Sequence, residues 1–98
     1  MDNLNTLELL SKNYKQKNYS YCIYILDKEI TSILIQKVQK IDKNFSYSTL
    51  QNLKESCMKN LDYEIKLLVT DFYNLSINKE NELIELNKLL DIYNDLKN

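Results

Sequence analysis

Eight tyrosines in 98 residues are the side chains through which this sequence can most readily act. Tyr19, Tyr21 and Tyr24 lie so close together that they cannot all face one core, whether the segment is a helix or a strand. Tyrosine offers a large contact area with few rotatable bonds, which suits an exposed ring to protein binding. Tyr63 and Tyr73, with Tyr47, are expected at the edge of a later apolar stripe, and Tyr14 and Tyr93 at core-facing positions. The expected protein-binding residues are therefore Tyr19, Tyr21, Tyr24, Tyr63 and Tyr73, with Ile77 as a further exposed apolar candidate.

Other chemistry is scarce. The chain contains no His, Arg, Gly, Pro, Ala or Trp. Without His, the Ser-His-Asp, Cys-His and His-based metal sites cannot be built, and no Gly-rich phosphate loop is present. Asp62, Glu64 and Asp71 are the nearest approach to an acidic cluster and read best as helix-surface acids. No enzymatic activity, cofactor or metal is expected. Cys22 and Cys57 lack the spacing of a metal or redox motif and are expected as two buried thiols.

Thirteen lysines oppose 14 acids for a net charge of −1. Residues 1–45 carry +2 and residues 46–98 carry −3, a polarity compatible with head-to-tail packing but too weak to mark a nucleic-acid surface. With no Arg, the planar bidentate contacts typical of base and phosphate recognition are missing. A helix-turn-helix reading would use residues 46–60 as the recognition helix, exposing Gln51, Lys54 and Lys59, but Glu55 interrupts that basic face. No segment is apolar enough to span a membrane and no signal-like segment opens the chain, so a cytoplasmic location is expected.

The elements that must position these residues follow from apolar spacing. Asn5-Thr6-Leu7-Glu8 has the form of a capping box, with Leu4 as a staple, ahead of a short helix presenting Leu7, Leu10 and Tyr14 and stopping near Lys17-Asn18. Residues 19–41 place Ile23, Leu26, Ile30, Ile33, Leu34, Val38 and Ile41 on one helical side. The alternative is a hairpin over about 19–38, which suits the Tyr and Ile content but lacks a Gly-containing turn. Ile25 and Ile35 fall off the main stripe, so a helix here would be central in a bundle or leave a second face for a partner.

From Leu50 to Leu75 apolar residues recur every three or four positions, through Leu53, Cys57, Leu61, Ile65, Leu68 and Phe72. This predicts a long central helix at about 48–75, capped by Ser46 or Ser48 and carrying Glu55–Lys59 and Asp62–Lys66 pairs. A break near Lys59-Asn60 is allowed but not required, because the spacing continues across it. After a turn at Ser76–Asn78, a last helix carries Leu83, Leu86, Leu90, Tyr93 and Leu96, with Ile84, Leu89 and Ile92 widening its face.

The expected fold is a single all-α domain, a small three- or four-helix bundle with a long central helix; the alternative is α+β with the hairpin packed on helices. The expected function is stoichiometric binding of a larger protein partner, as a bacterial or phage inhibitor, immunity factor or adaptor. A self-assembling homodimeric bundle is the alternative, and a DNA-binding regulator a weaker one.

Overall fold

The computed structural model describes the backbone of residues 3–97 and the side chains of residues 5–97. Five helices account for most of it: α1 (Asn3–Lys15), α2 (Tyr19–Ile41), α3 (Leu50–Asn60), α4 (Tyr63–Tyr73) and α5 (Glu82–Lys97). No strand occurs among the described residues. The hairpin over 19–38 is thus replaced by one unbroken helix, consistent with the want of a residue suited to a tight reversal at Asp27–Glu29.

The molecular axis is α2, not the segment at 46–75. Cys22, Leu26, Ile30, Leu34 and Val38 are buried at steps of four, joined by Ile25. Each four-residue step turns the stripe by about 40° around a helix of 3.6 residues per turn. The buried face therefore winds around α2, and α1, α3 and α5 each pack on part of it. Contacts of α3 with α4 and of α4 with α5 close a ring of α2, α3, α4 and α5, while α1 leans on α2 from outside that ring. Ile25 belongs to the core, and Ile41 is 60% exposed because the stripe has wound past it.

The long helix expected at 48–75 is two helices, which raises the helix count to five. Leu61 (φ −93°, ψ 163°) and Asp62 (φ −64°, ψ 157°) are both extended and redirect the chain. The Asn60 side-chain amide donates to the Ser56 carbonyl at 3.0 Å, and Asp62 stands at the N-cap of α4. Packing explains the break. An unbroken helix over 48–75 would run roughly 42 Å at 1.5 Å per residue, the whole of the molecule's 41 Å longest extent. Breaking at 61–62 lets Leu53 and Cys57 of α3, Leu61 itself, and Val69 and Phe72 of α4 enter one core.

Helix ends also differ from expectation. Asn5 lies inside α1 and no capping box forms there; Thr6 is fully buried and its hydroxyl donates to Glu29 Oε1 at 3.2 Å, tying α1 to α2. The Leu4 staple lies outside the described residues. Leu10 is buried, but Leu7 and Tyr14 are 52% and 39% exposed, because α1 turns Thr6 and Leu10 inward instead. Thr49, not Ser46 or Ser48, caps α3, its hydroxyl accepting from the Asn52 N–H at 3.0 Å. Glu55 accepts from Gln51, and the one ion pair among the described residues joins Lys88 to Glu85 at 3.0 Å. Before α5, Asn78 accepts from the N–H groups of Glu80 and Asn81 while Asn81 accepts from that of Asn78, a reciprocal turn closed by the two side-chain amides. On α5, Leu86, Leu89, Ile92, Tyr93 and Leu96 are buried, while Ile84 points to solvent.

Candidate protein-binding surface

Part of the outward face of α2 meets the start of α3 and the 42–49 connection across a groove. This groove has a volume of about 570 Å³; Asp27, Lys28, Thr31 and Ile35 line its α2 side, and Tyr47 and Leu50 the other. Tyr47 and Leu50 are 42% and 49% exposed, so Leu50, expected in the core stripe, is instead a surface wall.

Two of the α2 tyrosines extend this surface. Tyr24 is exposed, and its hydroxyl accepts from the Lys28 ammonium at 3.0 Å, with that ammonium 4.9 Å from the ring centroid. The hydrogen bond to Tyr24 raises the Lys28 pKa and holds the cation at the groove's rim. Tyr21 stands beside Tyr24, ring centroids 6.2 Å apart, and is also exposed. Asp27 is at the solvent boundary, yet partial desolvation pushes its carboxyl above the ordinary range.

Tyr73 serves the same groove from behind. Its half-buried ring meets Phe72 edge-on at 5.4 Å, and its hydroxyl donates to the Leu50 carbonyl at 2.8 Å. The Leu50 carbonyl in the first turn of α3 is thereby tied to α4. Burial is the main cause pushing the Tyr73 hydroxyl up to about 12, with added effects from nearby Cys57, Tyr47 and Asp27. Lys54 lies 5.7 Å from the same ring centroid.

The remaining candidates are elsewhere. Tyr19 is half-buried with its ring edge against Tyr14 at 5.6 Å, stapling the α1–α2 corner. Tyr63 is 73% exposed at the start of α4, about 15 Å along that helix from Tyr73 by the rise per residue. Ile77 is exposed in the connection to α5. The fold thus places Tyr47 in the groove lining, Tyr73 behind its Leu50 wall and Tyr24 and Tyr21 beside its Lys28 rim, and leaves Tyr19 and Tyr63 elsewhere. Leu50 and Ile35 are the residues that sequence reasoning did not place in the groove; the off-stripe position of Ile35 was the available signal.

A second groove, of about 610 Å³, runs between α4 and α5. Asp71, Asp91, Asp95 and the Glu85–Lys88 pair line it together with apolar Leu68, Leu75 and Ile92. An adjoining depression shares Leu68 and Asp95 and adds Asp62, Glu64 and, from α2, Lys37. The acids expected to cluster along one helix therefore lie along two neighbouring hollows, and no metal-holding group of His, Cys, Asp or Glu occurs among the described residues. Cys22 and Cys57 are buried free thiols. Desolvation raises both, Cys57 to about 11, and the Cys22 thiol donates to the Leu10 carbonyl at 3.7 Å.

No helix among the described residues is long and apolar enough to cross a membrane. Comparison of the chain with protein-family models, curated proteins and solved structures returned no match.

Proposed function

We propose that this chain is a small protein-binding module that acts stoichiometrically on a larger protein partner, as an inhibitor, immunity factor or adaptor, through the groove between α2 and α3. The observation that carries this reading is that exposed Tyr47 and Leu50 line a groove whose rim cation, Lys28, is held by exposed Tyr24 and whose wall is secured by the Tyr73 hydrogen bond. Apolar and aromatic side chains lining a pre-formed interhelical groove can receive the apolar face of a helix or an extended segment. The rings need little ordering on binding, so more of the contact energy is retained as affinity.

Two features favour a protein over DNA as the partner. Lys54, which a recognition helix would point at phosphate, lies over the Tyr73 ring. The connection ahead of α3 runs from 42 to 49, longer than the short turn of a helix-turn-helix pair.

The test is affinity capture from a host lysate, with the wild-type chain beside Tyr24→Ser and Tyr47→Ser. Wild type should retain one protein in stoichiometric amount, and both variants should lose it while keeping their helical circular dichroism. No stoichiometric partner, or retention by both variants, counts against the reading. Light scattering decides the alternative: a symmetric dimer dispersed by the same substitutions assigns the groove to self-assembly.

A further inference from the structure

We infer that the groove between α4 and α5 is a second docking surface, whose occupant is a lysine- or arginine-rich amphipathic segment of a protein. The ring order α2–α3–α4–α5 puts the α2/α3 side opposite the α4/α5 side. The acidic groove therefore faces away from the tyrosine groove, and one small chain presents two surfaces of different chemistry. This inference does not depend on what the tyrosine groove binds.

The groove has a floor and two walls. Leu68 and Leu75 from the α4 side and Ile92 from α5 supply apolar surface. Asp71 stands on the α4 wall, and Asp91 and Asp95 on the α5 wall. Glu85 is 7% exposed, and its carboxylate is matched by Lys88 at 3.0 Å. With that pair neutralised, the remaining charge lining the groove is three carboxylates. Continuing the solvent-facing row of α5 toward its N-terminus, Ile84 is 61% exposed, one turn before Lys88.

Charge complementarity selects the occupant. An anionic lipid surface, a nucleic acid or an acidic peptide would meet like charge on both walls. A helical segment with basic side chains on its flanks can reach Asp71 on one side and Asp91 and Asp95 on the other. Its central apolar residue would then enter the space over Leu75 and Ile92. The carboxylates supply orientation and on-rate, and the apolar floor supplies the part of the affinity that salt does not screen.

The probe is a fluorescein-labelled synthetic peptide, matched in length to α5, with leucines on one helical face and lysines flanking them. Fluorescence anisotropy against the wild-type chain should show one-to-one binding. Asp91→Asn with Asp95→Asn should weaken it by roughly fivefold to tenfold, and separately Asp71→Asn by roughly threefold to fivefold. Glu8→Gln with Glu55→Gln removes two exposed acids elsewhere and should leave affinity within about twofold. Equal weakening by that control pair means that net charge alone attracts the peptide, and overturns the inference. Failure of the peptide to bind wild type also overturns it. So does a salt-sensitive dimer of the chain alone that Asp91→Asn with Asp95→Asn disperses, since a second copy would then own the groove. Methyl chemical-shift changes on the wild-type chain provide a readout that needs no variant: they should concentrate at Leu68, Leu75 and Ile92, and changes confined to Leu50 and Ile35 would overturn the placement.

Discussion

Tyr73 shows how one hydroxyl joins the candidate surface to the core. Its bond to the Leu50 carbonyl holds the start of α3 against the end of α4. Tyr73→Phe keeps the ring and removes that bond, so a loss of about 1 kcal/mol at pH 7 is expected in urea denaturation. The pH dependence has a definite sign. The folded hydroxyl titrates near 12, above the usual value of 10, so the folded state keeps a proton that the unfolded chain gives up in between. The stabilisation is fully present below pH 10 and is lost as pH rises toward 12. The gap between wild type and Tyr73→Phe should therefore narrow across that window, and a gap that stays constant would show that the hydroxyl is not held in its protonated form. Cys57 acts in the same direction between its usual 9 and about 11; both proteins contain it, so its own titration cancels in the comparison and only its charge on Tyr73 stays within the measured gap.

At the scale of elements, the end of α1 shows a helix closed without glycine. Lys17 closes α1 with φ 61°, while the Asn18 N–H bonds the Asn13 carbonyl at 2.9 Å and the Lys17 N–H that of Tyr14 at 3.0 Å. This is a Schellman arrangement with lysine in the left-handed position where glycine is favoured. Lys17→Gly should raise stability by about 1 kcal/mol, less the entropy glycine adds to the unfolded chain. Thermal denaturation checks this, and a drop in midpoint would mean that the lysine side chain contributes more than its backbone strain costs. The stop itself was readable from Lys17-Asn18, as was α2 from its spacing. The break at Leu61–Asp62 was not, because Leu61, Ile65 and Leu68 keep helical spacing across it. Local periodicity reports which residues share a face and is silent on whether two faces belong to one straight axis.

For the molecule as a whole, the core is centred on α2. Leu34 is fully buried, whereas Leu7, expected to face the core, is 52% exposed. Leu34→Ala should cost about 2–5 kcal/mol, and Leu7→Ala under about 0.5 kcal/mol. Paired urea titrations check both, and equal costs would contradict the placement of α1. Of the candidate site, Tyr21 and Tyr24 were legible as rings with no room in one core, and Tyr47 as an edge residue. Their gathering with Leu50 and Ile35 was not, since residues from α2 and from the start of α3 come together only through tertiary packing.

The amino-acid sequence by itself favoured a helical chain with residues 19–41 as a helix over a hairpin, and it pointed to two buried thiols and to more tyrosines than one core can hold. Those properties follow from residue type and short-range spacing. Tertiary structure alone decided that α2 is the axis and that the 46–75 stripe is split. It also placed Tyr73 behind the groove wall and the acids of α4 and α5 on facing walls. The physical reason is common to all of these: each depends on which of several adequate apolar faces are buried together, and that choice is made by close packing of the whole chain.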